Sequence, residues 1–118
     1  MKNRHFTRVK MNEWATIRHD DHTFGGEVDN ISLRGLFIQT SQSIPLNTPV
    51  EVSVHHALDT SLDMSATVVR QGEAGLGMQI DRMDIKSLAY IRNLVAQECE
   101  NQEQVMQETK KMVSFMLR

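Results

Sequence analysis

The chain contains one cysteine, Cys99, so no internal disulfide can form, as in proteins kept in a reducing compartment. Proline is nearly as scarce. Pro45 and Pro49 lie close together, and none follows to interrupt a helix in the C-terminal third. No apolar run approaches the roughly 18 residues of a membrane span, so membrane insertion is not expected. The opening MKNRHFTRVK is polar and basic, unlike a secretory leader. A net charge of −2 gives no global attraction to nucleic acid or acidic lipid. Aromatic residues make up only 5% of the chain, too few for the stacking platforms of a single-strand RNA binder. Trp14, Phe24 and Phe37 sit in strand contexts and read as core residues.

Catalytic and metal-binding patterns are missing too. The five histidines form no H-E-x-x-H and no Cys/His zinc spacing. Neighbouring His55 and His56 on a strand point to opposite faces. There is no phosphate loop, nucleophile elbow or GxGxxG. Cys99 sits among glutamates, which disfavour a thiolate, and Asp20, Asp21 and Asp29 read as turn carboxylates. The expectation is a non-enzymatic protein with no metal and no cofactor.

What is present is period-two alternation, then period 3.6. The sequence predicts strands over 9–19, 23–31, 36–40, 50–56, 62–71 and 76–80. In the clearest of these, Val50, Val52 and Val54 face one way and Glu51, Ser53 and His55 the other. Six short strands with glycine and proline turns predict an antiparallel barrel or sandwich. After Asp84, a plausible N-cap, Ile85, Leu88, Ile91 and Val95 fall on one helical face. The seam can be continued through Cys99, Gln102, Met106, Thr109, Val113 and Met116, as one helix or two. It is a weak coiled-coil seam, because Gln102 and Thr109 stand at apolar positions. The organisation expected is a flexible basic arm at 1–10, a barrel at 9–82 and helix at 84–118.

Charge is unevenly spread. Lys2, Arg4, Arg8 and Lys10 crowd the first ten residues without an acid, whereas Glu98, Glu100, Glu103 and Glu108 occupy 98–108 without a base. Arg4 and Arg8 form R-x-x-x-R just before the first strand. Farther on, DNISLRGLFI at 29–38 carries N-x-S-x-x-G as Asn30, Ser32 and Gly35. Arginine presents a planar fork matched to phosphate oxygens and to the O6/N7 edge of guanine, and it stacks on bases. The Asn30 amide can accept from guanine N1–H or N2–H₂, and the Ser32 hydroxyl can reach a base or phosphate. Gly35 permits a positive φ or a close ligand approach. A ligand with guanine edges and several phosphates suits all of these groups.

R-x-x-x-R at Arg4–Arg8 followed by N-x-S-x-x-G at Asn30–Gly35 resembles the PilZ domain. The ISLRGLFI context, the approach from Pro45 to the V-x-V-x-V strand, ATVVRQ and GLGMQI resemble it as well. The resemblance covers roughly residues 3–96 and leaves the C-terminal extension unexplained. It implies an all-β core, a six-stranded antiparallel barrel, with a C-terminal helix. It also implies a bacterial, cytoplasmic receptor for the second messenger cyclic di-GMP, often bound as an intercalated dimer. By that resemblance Arg4, Arg8, Asn30, Ser32 and Gly35 contact the ligand, with Asp29 and Arg34 as neighbours that contribute. Asn30 in place of aspartate keeps the acceptor and removes a charge. The expected function is an effector that changes conformation on binding and signals to a protein partner. The alternative is a nucleotide-independent adaptor acting through residues 84–118, which also offer a route to homo-oligomers. A small RNA-binding barrel is the remaining rival.

Overall fold

The computed structural model describes residues 6–57, 60–99 and 101–116. Seven strands precede two helices: β1 (Val9–Lys10), β2 (Trp14–His19), β3 (His22–Ile31), β4 (Gly35–Gln39), β5 (Pro49–Ala57), β6 (Thr60–Gln71), β7 (Gly75–Met83), α1 (Ile85–Glu98) and α2 (Gln102–Met116). The strands pair antiparallel in the order β1–β3–β2–β5–β6–β7–β4, and β3 also pairs with β4, which closes the ring. Strands β2 to β7 are therefore a six-stranded barrel, one of the two architectures the alternation leaves open and the one the family resemblance implies, and β1 is an outer strand on β3. Closure removes the exposed sheet edges that a small β domain would otherwise present.

The inward phase of each strand fills the barrel. Ile17, Val28, Ile38, Val52, Val68 and Ile80 are all essentially inaccessible to solvent. Residues 9–19 do not run as one strand. Lys10 pairs with Asn30 and Trp14 with Glu27, so four steps on one chain oppose three on the other and residues 11–13 leave the ladder. Met11 still donates its N–H to the Asp29 carbonyl at 3.0 Å and stays buried. Of the three aromatics expected in the core, Phe24 packs against it, but Trp14 is 57% exposed and Phe37 faces outward. Trp14 lies over Gly25, where a Cβ would collide with the indole, so it packs on the outer face of the barrel.

Asp84 caps α1. Its backbone is extended and Oδ1 accepts the Ser87 N–H at 2.9 Å. Leu88, Ile91 and Val95 are buried, and α1 packs against β6 and β1. Ile85 shares their phase but is 74% exposed, because it is the first helical residue and precedes the turn that meets the barrel. The chain then breaks. Cys99 is extended (φ −102°, ψ 124°), and Gln102 Nε2 donates to the carbonyls of Ala96 and Cys99 at 3.1 and 3.2 Å. The break shifts the helical phase. The buried residues of α2 are Val105, Glu108 and Met112, one position before the seam expected at Met106, Thr109 and Val113. In this phase α2 packs against β7 and α1.

Candidate functional site

Two β-bulges aim the polar groups. Val28 pairs with Ile38 and Asn30 with Phe37, so Asp29 is an extra residue in β3. Strict alternation would turn Asn30 inward with Val28. The bulge turns it outward and returns Ile31 to the core. In β6, Val68 pairs with Met78 and Arg70 with Gly77, leaving Val69 as the extra residue and both Val69 and Arg70 outside. Cross-strand partners share a face. One outward row therefore crosses five strands: Lys10, Asn30, Phe37, Gly77 and Arg70.

Asn30 sits at the centre of a polar chain. Its Nδ2 donates to Asp29 Oδ2 at 2.9 Å, and Gln39 Nε2 donates to Asp29 Oδ1 at 3.1 Å. A carboxylate only accepts, so the amide nitrogen of Asn30 must face Asp29 and its oxygen must face away. That oxygen accepts from Arg8 Nε at 2.8 Å. Lys10 Nζ stands 3.9 Å from Asp29 Oδ2. Asp29 thus orients Asn30, and Asn30 holds the fork of Arg8 over the β3–β4 turn.

Ser32 is 1% exposed and works within that turn. Its hydroxyl accepts from the Gly35 and Arg34 N–H groups at 3.0 and 3.2 Å and donates to the Gly35 carbonyl at 3.3 Å. The Ser32 N–H donates to the same carbonyl at 2.8 Å. Gly35 is a glycine for lack of room. A Cβ there would stand 3.0 Å from the Met78 carbonyl oxygen and 3.3 Å from an Arg8 guanidinium nitrogen. Among the described residues the only glycine with positive φ is Gly75, so Gly35 serves close approach and not a left-handed turn.

The C-terminal helix reaches the same place. Arg34 Nε donates to the Ile80 carbonyl at 3.1 Å, and its guanidinium carbon lies 3.5 Å from the centre of the Phe115 ring. Glu108, 2% exposed, accepts the Thr7 N–H at 2.9 Å, the Thr7 hydroxyl at 2.7 Å and Gln104 Nε2 at 3.0 Å. The flexible arm was expected over residues 1–10. Residues 6–10 are held by Glu108 on one side and by β3 on the other; residues 1–5, Arg4 among them, lie outside the described residues.

These groups surround an open groove of about 950 Å³. Arg8, Lys10, Arg34 and Arg70 line it, no acidic residue among the described residues does, and Phe6 and Phe37 supply flat apolar walls. Cations beside flat apolar walls are complementary to a planar anion. Residues 2–97 match the PilZ domain family. The chain belongs to that family, which is known for cyclic di-GMP receptors. A solved structure of similar fold is that of the Bacillus subtilis inhibitor of motility MotI/DgrA. The two agree with a TM-score of 0.70 at 11% identity, over 83% of this chain and 51% of that one. This PilZ chain therefore spans about half the length of that neighbour. Comparison with curated protein sequences found no significant match.

Sequence reasoning named Arg8, Asp29, Asn30, Ser32, Arg34 and Gly35, and these six cluster at one turn. It missed Arg70, Phe37 and the Thr7–Glu108 clamp. The bulge at Val69 hides the orientation of Arg70, because two consecutive outward residues break the alternation that reads faces. Glu108 carries no signal, since its burial depends on the phase break at Cys99.

Proposed function

We propose that this PilZ protein is a cyclic di-GMP receptor whose bound ligand fills the groove beside the β3–β4 turn. The observation that carries this reading is the convergence of four cations and the Asn30 amide around a cleft of about 950 Å³ without an acid among its described lining residues. Cyclic di-GMP brings two phosphodiester charges and two guanines. Arg8 and Arg34 would grip phosphate or the guanine O6/N7 edge, and Asn30 Oδ1 retains a second lone pair for a guanine N–H. Arg4 would join from the arm. Ser32 and Gly35 shape the turn, and Asp29 orients Asn30. Clefts for small ligands run to roughly 1,000 Å³, and this groove of about 950 Å³ is of that size.

The signal follows from shared contacts. The arm is clamped to α2 through Thr7 and Glu108, and Arg34 is stacked on Phe115 of the same helix. A ligand that repositions residues 2–10 and recruits Arg34 competes with both contacts and alters how α2 sits on the barrel. The altered α2 surface is what a protein partner reads, in the cytoplasm of a bacterium. In this division of labour residues 1–10 are the arm, 9–82 the barrel and 84–118 the output element.

Isothermal titration with cyclic di-GMP, against GMP and GTP, tests the reading. Saturable binding of the cyclic dinucleotide alone is expected, with two molecules per chain for an intercalated dimer. One per chain removes the dimer. No binding, with a partner captured equally well in the absence of nucleotide, favours the adaptor.

A further inference from the structure

We propose that Asp29 is a positioning residue: it fixes which end of the Asn30 amide faces the groove, and so sets the choice of guanine over adenine. The inference rests on the groove being the cyclic di-GMP site. Neighbouring residues of a regular strand point to opposite faces. Asp29 is the extra residue of the β3 bulge, so its carboxylate comes to lie beside the Asn30 amide, 2.9 Å from Nδ2. Asn30 lines the groove and Asp29 does not. Asp29 therefore acts through its neighbour. It is itself held from two sides. Gln39 Nε2, at the end of β4, donates to Oδ1 at 3.1 Å, and Lys10 Nζ stands 3.9 Å from Oδ2. Asp29 and Gln39 both lie outside R-x-x-x-R and N-x-S-x-x-G.

A side-chain amide has two ends of nearly equal size, one a donor and the other an acceptor. Two partners remove the ambiguity at Asn30. Arg8 Nε donates to Oδ1 at 2.8 Å, and Asp29 accepts from Nδ2. Arg8 is the partner that a ligand phosphate recruits; when its fork turns to the ligand, Asp29 keeps its hold on the amide. The oxygen then stays toward the groove. Guanine presents N1–H and N2–H₂ as adjacent donors, and that oxygen accepts from them. Adenine has a lone pair at N1 and a carbon-bound hydrogen at C2, so the same oxygen meets a repelling acceptor. A site built to bond an N–H rejects the analogue that lacks it far more strongly than shape alone does, because a buried polar group is left unpaired. A released amide turns its NH₂ toward adenine N1 and loses the distinction. An aspartate at 30 would need no such lock, because a carboxylate accepts at either end. Asparagine needs one, and Asp29 supplies it.

The test is calorimetric titration of cyclic di-GMP and of its adenine analogue, cyclic di-AMP, into the full chain, D29A and D29A/N30D. The readout is the ratio of the two Kd values, because losing a negative charge beside the groove moves both affinities the same way. Wild type is expected to favour the guanine ligand by about a hundredfold or more. In D29A the ratio should fall by roughly tenfold. D29A/N30D moves the carboxylate by one position at constant net charge, and it should restore the wild-type ratio, since its acceptor cannot be turned away. Circular dichroism checks folding. If D29A fails to fold, the Asn30 side-chain NH₂ of the wild-type complex decides: one proton should stay shifted downfield by the Asp29 carboxylate, and two ordinary shifts would overturn the lock. A ratio unchanged in D29A would overturn it as well. So would a low ratio that N30D does not restore, which would make Asp29 a support of the bulge. Equal affinity of wild type for the two dinucleotides would overturn the selectivity alone. Absence of binding by the wild-type chain would overturn the groove assignment and this inference together.

Discussion

Arg8 is the residue on which ligand capture turns. Its side chain is exposed and holds its place through Asn30. A bidentate arginine contact to guanine contributes about 1–3 kcal/mol, so Arg8→Ala should lower cyclic di-GMP affinity by roughly one to two orders of magnitude. Its melting temperature should barely change, since exposed substitutions cost roughly 0.5 kcal/mol or less; calorimetric titration beside a thermal melt reads both. Gly35→Val should behave differently. The added side chain must displace either the β7 backbone at Met78 or the Arg8 fork, so stability and affinity should fall together, and a variant with both intact would contradict the close approach. Arg8, Asn30 and Gly35 are legible in the sequence because their spacing carries a motif. The role of Ser32 is only half legible. Its hydroxyl reads as a ligand donor in the sequence, and the structure adds that it bonds the turn.

Among the elements, α1 rests on its cap. The Ser87 side chain and N–H hold the Asp84 carboxyl below its ordinary value of 3.8. A carboxyl with a depressed folded pKa adds stability above its unfolded pKa and loses it as pH falls through the folded one. Asp84→Ala should therefore cost about 1 kcal/mol near neutral pH, and the difference from wild type should shrink in denaturant melts below pH 3.8. The link between arm and α2 is also testable. Removing the Glu108 carboxylate leaves the Thr7 N–H without a charged acceptor, and such bonds are each worth about 1.5–3 kcal/mol. Glu108→Ala should speed amide exchange at Thr7 by at least tenfold while leaving β5 and β6 unchanged. The start of α1 is readable from Asp84 and the i, i+3, i+7 spacing of Leu88, Ile91 and Val95. The phase of α2 is not, because Cys99 adopts extended geometry without a proline or glycine to announce it. The split of residues 9–19 into β1 and β2 is equally silent, being set by the register against β3 and not by local composition.

At the scale of the whole molecule, strand alternation marked out the β core and left barrel or sandwich open, because the inward phase runs cleanly from Val50 to Val54 in β5 and from Leu62 to Val68 in β6; the barrel itself was implied by the family resemblance. Bulges, which decide what the groove contains, are the part that alternation cannot report. A ligand bound only by the folded chain stabilises it by about 2.7 kcal/mol at a hundred times its Kd, so cyclic di-GMP should raise the melting temperature by on the order of 10 °C, and GMP should not. The most direct measurement is an amide NMR titration with cyclic di-GMP. The expected result is a set of saturating shifts centred on Arg8, Lys10, Asn30, Arg34, Gly35, Phe37, Arg70 and Gly77, with secondary shifts along α2. Shifts confined to the opposite wall of the barrel, around β2 and β5, or no shifts at all, would contradict the assignment of the groove.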